Sequence, residues 1–366
     1  MTIGILKETQ KGEKRVSISP KIAKSLIEQG FKVIVEEDAG KSSKFENSDY
    51  KNSGASVEKR GAVYKDADVL VKINPFDEDG LKLVDENHIL ICQLFHKSHP
   101  DIVKEIASKG ASALSMDALP RISRAQDMDV LSSQSNLAGY KAVIKGAYEM
   151  TKIFPLMMTA AGTITPSRVL IYGVGVAGLQ AIATARRLGA IVEATDIRLE
   201  TKEQAESLGA KFIMVDNNEE DSEKGYAKAA SEEYARKQRE AVNKSLFQAD
   251  LVITTAMVPG RKSPVLITEE QVSQMKNGAV IIDLAAAQGG NCELSKMNKT
   301  VIKNGVKIIG TTISPESVST NASDLYAKNM YNFIMYLTEN NEFKWDLEDE
   351  ITDETLIVHN GKIRKS

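Results

Sequence analysis

A glycine-rich run placed directly after an apolar strand limits the folds open to this chain more than any other sequence feature. The run GVGVAG, residues 173–178, follows the strand-like RVLIY and opens the helical LQAIATARRLG. Strand, glycine turn and helix in this order begin a Rossmann βαβ unit. In such a unit Gly173 permits the tight turn, Gly175 lets a pyrophosphate approach the backbone, and Gly178 lets helix and strand pack closely. The pattern predicts a dinucleotide with its phosphates at the helix N-terminus.

An acidic residue ends the next predicted strand. Asp196 closes IVEATD, 18 residues after Gly178, where a carboxylate would accept hydrogen bonds from the adenosine ribose hydroxyls. The same carboxylate would repel a 2′-phosphate, which favours NAD over NADP, and the nearby Arg198 slightly weakens that preference. From these two segments the predicted cofactor-binding residues are Gly173, Val174, Gly175, Val176, Ala177, Gly178, Asp196, Ile197 and Arg198.

Short apolar runs alternate with helical segments in two series. TIGILKE, KVIVEE, DVLVKINP, HILICQLF and SALSMDAL belong to the first, and RVLIYG, IVEATD, KFIMVD, DLVITTA, AVIIDLA and VKIIGT to the second. Continuous apolar strands separated by helices are typical of parallel sheets covered on both faces. We therefore expect an α/β chain of two Rossmann-like, doubly wound parallel-sheet domains with an interdomain cleft.

The two predicted domains are interleaved along the chain. Residues 1–137 form the first domain together with residues 318–366, because the long helical pattern and the hairpin-like LIVHNGKI of the tail belong to neither series. The NG dipeptide in that hairpin favours a tight type I′ turn. Residues 138–317 form the dinucleotide-binding domain, and SNLAGYKAVIKGAYEMTKIFP is predicted to be a helix that crosses to it and is stopped by Pro155.

Composition excludes several classes of function. The net charge of −3 and the lack of a basic stripe give no electrostatic case for nucleic acid. Cys92 and Cys292 are too few for a disulfide framework and indicate reduced thiols. The N-terminal apolar run is too short for a signal peptide, and the longest apolar stretches reach about half of the ~20 residues that a membrane span needs. We expect no nucleic-acid partner and no direct membrane insertion.

A polar segment at residues 121–140, RISRAQDMDVLSSQSNLAGY, lies between the two predicted domains. Binding clefts in such folds lie beyond the carboxyl ends of strands and between domains. The segment is therefore either part of a binding site or a polar interdomain linker. Its short loop carries Arg121, Gln126, Asp129 and Ser132.

A second polar stretch, NNEEDSEKGYAKAASEEYARKQREAV, separates two strands of the second series. It is longer than the usual ~2–6 residues of a βα connection. One interpretation is an exposed, solvated helix. The other is a flap with Gly225 as its hinge and Tyr226 as the residue that closes on a ligand.

Five motifs carry a family resemblance: RISRAQDMDVLSSQSNLAGYKAVI, GVGVAGLQAIATARRLGA, TKEQAESLGAKF, ITTAMVPG and MKNGAVIIDLAAAQGGNCELS. Together they closely resemble domain I, the NAD(H)-binding component, of the proton-translocating nicotinamide nucleotide transhydrogenases. The resemblance covers essentially the whole chain and is to the form in which this component is a separate alpha-1 subunit. The loop at residues 121–132 is its most specific segment, since the wider alanine dehydrogenase/transhydrogenase family lacks it.

The resemblance implies one component of a multi-subunit, Re/Si-specific NAD(P)+ transhydrogenase. NADH bound here would pass a hydride directly to NADP+ on an NADP(H)-binding partner subunit, and a membrane-spanning partner would couple the transfer to proton translocation. Such a relay needs positioning rather than a general acid, a base or a metal. The resemblance also implies a homodimer that is cytoplasmic and peripheral to the inner or plasma membrane through its partners.

The family pattern also implies individual roles. The side chains that would orient the dihydronicotinamide and its carboxamide are Arg121, Gln126, Asp129 and Ser132, with Ile122 and Ser123 in the same cofactor-binding loop. The loop around Ala256 and Met257 would cover the adenosine half, and Gly225 and Tyr226 would belong to the segment that closes over the site.

The chain also resembles alanine dehydrogenase, which gives a second hypothesis. Arg15 and His96 match that enzyme's substrate arginine and histidine, but Asn74 stands where it has a lysine and Ala287 where it has an aspartate. Losing both ionisable groups should remove several kcal/mol of transition-state stabilisation, so the transhydrogenase component is favoured and His96 is interpreted as a core or cleft histidine. A third hypothesis is a catalytically silent NAD-sensing module.

Overall fold

The computed structural model describes residues 1–214, 232–257, 261–310 and 315–365. By its internal contacts the chain divides into unit 1, Met1–Gln134 with Pro315–Ser366, and unit 2, Ser135–Ser314. Each unit contains one large, mainly parallel sheet. The predicted α/β class with two doubly wound, parallel-dominated sheets is confirmed.

The strands are, in chain order, β1 (Thr2–Ile5), β2 (Lys32–Glu36), β3 (Ser56–Glu58), β4 (Val69–Val71), β5 (Ile89–Cys92), β6 (Ser112–Ser115), β7 (Met157–Thr159), β8 (Gly162–Ile164), β9 (Arg168–Tyr172), β10 (Ile191–Thr195), β11 (Lys211–Phe212), β12 (Leu251–Thr254), β13 (Val280–Asp283), β14 (Thr300–Lys303), β15 (Val306–Ile309), β16 (Thr338–Glu339), β17 (Glu342–Phe343), β18 (Leu356–His359) and β19 (Lys362–Ile363). The α-helices are α1 (Pro20–Glu28), α2 (Asn47–Asn52), α3 (Arg60–Asp66), α4 (Glu78–Leu81), α5 (Pro100–Ser108), α6 (Val130–Glu149), α7 (Val176–Arg187), α8 (Thr201–Ser207), α9 (Glu232–Gln248), α10 (Glu269–Ser273), α11 (Ser319–Leu337) and α12 (Glu350–Thr355).

The sheet of unit 1 has the order β3-β2-β1-β4-β5-β6-β18-β19. Its first six strands are parallel and follow the 3-2-1-4-5-6 order of a complete dinucleotide fold, and β18 adds antiparallel to β6. Successive residues of β4 alternate between two buried clusters, with Val69 and Val71 on one face and Leu70 on the other. Burial of both faces explains why these strands are apolar throughout.

The chain returns to unit 1 through α11, which packs into the core on one face of that sheet. Tyr326, Met330 and Phe333 are completely buried there together with Ile3 and Val71. The last two strands form the predicted hairpin. Its turn residues, Asn360 and Gly361, have φ values of +45° and +75°, as a type I′ turn requires.

The sheet of unit 2 has the order β11-β10-β9-β12-β13-β15-β14. All six strands predicted in the second series are present, and they are parallel. The seventh, β14, was not predicted and pairs antiparallel with β15 at the edge. Strand order reverses between β9 and β12, and ligands of open α/β sheets bind beyond the carboxyl ends at such a switch point.

The predicted crossing helix differs from the observed one at both ends. Helix α6 begins at Val130 and ends at Glu149, so Pro155 does not stop it. Between the helix and β9 the chain instead forms the two-stranded hairpin β7–β8, which the sequence reasoning missed. Within the described ranges, no helix combines the length and the apolar character of a membrane span.

Candidate dinucleotide site

The glycine turn joins β9 to α7, and two of its glycines are fixed by the protein's own packing. Gly173 has φ +91°, and a Cβ there would lie 2.6 Å from Thr255 Oγ1. A Cβ on Gly178 would lie 1.9 Å from the carbonyl oxygen of Gly173. Helix and strand therefore approach so closely that neither position accepts a side chain.

Gly175 is different, because a Cβ added there would meet no atom within 4 Å. It is the N-cap of α7 and provides no side chain to accept hydrogen bonds from the first turn. The first N–H groups of a helix lack intrahelical acceptors and attract anions. The open space at Gly175, facing these donors, fits the pyrophosphate of a dinucleotide.

Asp196 follows β10 and reaches across to the same turn. Its Oδ2 accepts from the Val174 N–H at 2.7 Å, and its Oδ1 accepts from the Arg198 N–H at 2.9 Å. The Arg198 guanidinium also donates to both oxygens, from Nε and Nη2, at 3.1 Å each. The guanidinium that the sequence placed nearby therefore contacts the carboxylate directly.

The pair is unequal in its exposure. The Asp196 side chain is 6% exposed and that of Arg198 is 51% exposed. Burial raises the pKa of the Asp196 carboxyl, but the hydrogen bonds from the Arg198 side chain and the Val174 N–H outweigh it, so the pKa lies below its usual range. The site thus presents an ionised carboxylate, held by a half-exposed arginine whose ion pair contributes little free energy.

The loop after β12 is held by a residue that the sequence reasoning overlooked. The completely buried Asn291 donates from Nδ2 to the carbonyls of Ala256 and Pro264, and its Oδ1 accepts from the Ala256 N–H. Met257 follows with its side chain partly exposed, and Ile197 is 96% exposed. The GGN sequence within the motif DLAAAQGGNCELS was the available signal, since the two glycines precede a buried amide.

Asn291 is itself positioned by the buried carboxylate of Asp283. That carboxylate accepts from the backbone N–H groups of Ala285, Asn291 and Cys292 and from the hydroxyls of Thr254 and Ser295. A buried carboxylate with several donors is stable in one orientation. The ends of β12 and β13 are therefore fixed around the loop.

The segment at residues 121–132, in unit 1, is more regular than the predicted loop. Residues Ser123–Met128 form a 3-10 helix, and Ser132 lies in the first turn of α6. Asp129 caps that turn, accepting from the Ser132 N–H at 2.9 Å and from the Ser132 hydroxyl at 2.6 Å. Two of the predicted side chains are thus brought together as a helix cap.

Other predicted residues of this segment lie on the surface of unit 1. Arg121, Ser123 and Gln126 are exposed and Ile122 is half-buried. Within the described ranges, neither Arg121 nor Gln126 makes a side-chain hydrogen bond. Both have donors available for a ligand. Gly225 and Tyr226 lie outside the described residues.

The residues matching alanine dehydrogenase are occupied by a buried network in unit 1. Arg15 pairs with Glu13 at 2.6 Å and donates to Gln134 Oε1 at 2.9 Å. Asn74 donates from Nδ2 to Glu8 at 3.1 Å and to Glu13 at 2.9 Å. The carboxylates of this cluster thus have donors without a bound substrate.

His96 and Ala287 add no ionisable network of their own. Burial lowers the pKa of His96, and its Nδ1 is buried with no hydrogen-bond partner among the described residues. Ala287 lies exposed in the 3-10 turn Ala286–Gln288 of unit 2.

Two family signatures match the chain over nearly its whole length. The alanine dehydrogenase/PNT N-terminal domain matches residues 4–138, and the alanine dehydrogenase/PNT C-terminal domain matches residues 142–366. The boundary between the signatures falls within α6.

Individual relatives are similar to different degrees. An NAD(P) transhydrogenase subunit alpha of Rhodospirillum rubrum is 49% identical over 374 residues, covering 99% of this chain and 97% of that protein. Alanine dehydrogenase 2 of Staphylococcus aureus is 30% identical over 317 residues, covering 84% and 79%. The crystal structure of transhydrogenase from Sinorhizobium meliloti matches with a TM-score of 0.90 at 40% identity, covering 99% of this chain and 100% of that one.

Proposed function

The chain belongs to the alanine dehydrogenase/PNT family, within which it is a transhydrogenase alpha subunit (domain I) relative, and on that premise we propose that it is the NAD(H)-binding subunit of a proton-translocating NAD(P) transhydrogenase. The observation that carries NAD(H) binding is the open space at Gly175 beside the ionised Asp196. The higher identity to a transhydrogenase subunit than to an alanine dehydrogenase supports the choice of reaction.

The glycine turn and Asp196 would hold the adenosine diphosphate half of NAD(H). The N–H groups at the start of α7 would donate to the pyrophosphate, and the Asp196 carboxylate would accept from the ribose hydroxyls. Arg198 would leave the carboxylate as the ribose binds, which its exposed position permits. Ile197, Ala256 and Met257 would lie against the adenosine.

The segment at residues 121–132 would orient the nicotinamide. When bound, the dihydronicotinamide supplies a hydride, which leaves its C4 for the C4 of the NADP+ nicotinamide on the partner subunit, so one C–H bond breaks as another forms. Because no proton is exchanged with a side chain, these residues act by positioning. The exposed Arg121 and Gln126 would donate to the carboxamide, with Ser123 and the Asp129–Ser132 cap beside them. Gly225 and Tyr226 would close over the site.

We also propose the assembly that this reaction requires. An NADP(H)-binding subunit would supply the second nicotinamide, and a membrane-spanning subunit would couple the transfer to proton movement. The chain would then be cytoplasmic and peripheral to the inner or plasma membrane. A homodimer is supported by the exposed hairpin β7–β8, on which Leu156, Met157, Met158 and Ile164 present apolar side chains to solvent.

The test is a reconstitution with the purified NADP(H)-binding component of a transhydrogenase. Reduction of an NAD analogue by NADPH should depend on both proteins. A chain that bound NADH but supported no exchange would be an NAD-sensing module. A parallel assay with alanine and NAD should show no turnover, because Asn74 and Ala287 supply no ionisable group, and turnover in the usual ~1–10³ s⁻¹ range would favour an alanine dehydrogenase.

A further inference from the structure

We propose that Arg124, Asn329, Tyr336 and Asp349 are positioning residues that fix the 3-10 helix Ser123–Met128 against the C-terminal portion of unit 1. They would hold the helix in one rotation about its axis, and through it the amide of Gln126. This inference rests on the proposed orienting role of Gln126, and a double-mutant experiment separates the two.

The 3-10 helix has three faces. It has three residues per turn, so residues i and i+3 share a face. The first face, Ala125 and Met128, is buried in the core of unit 1 with α11. The second face, Ser123 and Gln126, is exposed. The rotation that keeps the first face buried therefore presents Gln126 outward.

The third face is bound to α11 through the Asp127 carbonyl. Asn329 donates from Nδ2 to this oxygen at 2.7 Å, and Asn332, one turn later, donates at 3.1 Å. The carbonyls at the end of a helix lack intrahelical donors. Two asparagines on one face of α11 supply them, and the Asn329 side chain is buried.

Arg124, on the same third face, is bound to the tail that follows α11. Its Nη1 donates to Tyr336 Oη and to Asp349 Oδ1, at 2.9 Å each, and the Tyr336 hydroxyl donates to Asp349 Oδ1 at 2.7 Å. Asp349 is the N-cap of α12 and accepts from the Thr352 N–H through its other oxygen. The carboxylate is thus fixed by a helix before it meets Arg124.

These attachments control rotation more than they control folding. The apolar first face keeps the segment attached to unit 1 when a contact on the third face is removed. Rotation of the helix would move the Gln126 amide, and a small misplacement of reacting groups can reduce a rate by ~100-fold. The glycine turn and Asp196 do not depend on Gln126, so NADH affinity should be retained.

The experiment compares Arg124→Ala, Asn329→Ala and the milder Tyr336→Phe in the full chain, reconstituted with the NADP(H)-binding component. The rate of hydride transfer at saturating NADH should fall ~10-fold or more for the alanine variants and less for Tyr336→Phe. The dissociation constant for NADH should stay within about threefold. Arg124→Lys, which keeps one donor for Asp349, should recover part of the rate.

Two controls distinguish positioning from general damage. Lys328→Ala removes an exposed side chain of α11 whose described contact is the ring of Tyr331, and it should leave rate and affinity unchanged. Trp345, the single tryptophan, stacks on Phe343 shortly after α11, so its fluorescence reports whether this region of unit 1 remains folded. The emission should be unaltered in each variant.

A double-mutant comparison tests whether Arg124 acts through Gln126. Gln126→Asn combined with Arg124→Ala should be no slower than Gln126→Asn alone, because the second change then has nothing left to misplace. Additive losses, or equal losses of rate and NADH affinity, would overturn the inference. If Gln126→Asn itself transferred hydride at the wild-type rate, the proposed orienting role would fail first. If only Gln126→Asn were slow, the positioning inference alone would fail.

Discussion

Gly173, Gly175 and Gly178 share one turn but are needed for different reasons. The positive φ of Gly173 and the 1.9 Å approach at Gly178 concern the folded chain, whereas the space around Gly175 is open. Gly175→Ala should therefore change the free energy of unfolding by less than about 1 kcal/mol and raise the NADH dissociation constant at least ~10-fold, or ~1.4 kcal/mol. Thermal unfolding and NADH titration measure both quantities.

Gly178→Ala is the matched comparison for that variant. Its Cβ would overlap the Gly173 carbonyl oxygen, and overpacking of this kind destabilises by ~1–3 kcal/mol. It should lower the melting temperature as well as the affinity. If Gly175→Ala bound NADH as tightly as the wild type, the pyrophosphate would not lie at this turn.

Asp196 offers a test that depends on pH. Asp196→Ala should weaken NADH binding by ~1–3 kcal/mol, because the ribose hydroxyls lose their acceptor. The pKa of this carboxyl is lowered in the folded protein, so its stabilisation is present above the unfolded pKa of ~3.9 and is lost as pH falls through the folded value. The melting-temperature difference between wild type and variant should be constant from about pH 8 to 5 and shrink below about pH 4.

Arg198→Ala is the control for Asp196→Ala. It removes only the half-exposed partner, so NADH affinity should stay within about threefold, while discrimination against NADPH should increase. Equal affinities for NADH and NADPH in the wild-type protein would contradict the assigned role of Asp196.

At the scale of elements, α6 and α7 meet at a contact that only glycine allows. A Cβ on Gly139 would lie 2.1 Å from the carbonyl oxygen of Ala177, in the first turn of α7. Gly139→Ala should destabilise unit 2 by ~1–3 kcal/mol and also weaken NADH binding, because the turn that would hold the phosphates must shift. Gly61→Ala, in α3, meets no atom within 4 Å and should do neither. Unfolding followed together with NADH titration would show whether the two losses occur together.

The sequence was sufficient for elements whose residues are buried on both faces. The strands of the second series were predicted because runs such as RVLIY are continuously apolar, whereas β14 alternates between exposed and half-buried residues. Its turn contains the NG pair Asn304 and Gly305, both with positive φ, which was an available hairpin signal. The boundaries of α6 were misplaced because Asp129 caps the helix within a segment interpreted as loop.

The candidate site was predictable to a similar extent. The glycine turn and Asp196 follow from spacing alone, since a βαβ unit dictates where both must lie. The contact of Arg198 with Asp196 and the two bonds from Asn291 to the loop after β12 did not follow, because they join residues that are brought together only by folding. The three faces of the 3-10 helix were hidden for the same reason.

For the whole molecule, the exposed hairpin β7–β8 bears on assembly. Met157 pairs with Ile164 across the hairpin, and Met158, on the opposite face, is 78% exposed. A charge on each face, Met157→Asp with Met158→Asp, should shift a homodimer to monomer without lowering the melting temperature of the monomer. Light scattering after size-exclusion chromatography measures the mass. Leu83→Asp, at a single exposed apolar side chain of unit 1, should leave it unchanged. A dimer that survived the double substitution would place its interface elsewhere.

The burial of α11 in the core of unit 1 has a consequence for biosynthesis. Unit 2 is one continuous stretch, residues 135–314, and lies between the two segments of unit 1. Its 180 residues, counted from 135 to 314, must leave the ribosome before α11 exists, a delay of about 10–40 s at ~5–20 residues per second. Throughout that interval the nascent N-terminal strands lack the helix that buries Ile3 and Val71. The middle of the polypeptide can therefore complete its fold before its beginning does, and the N-terminal segment is the one that a nascent-chain chaperone would need to shield.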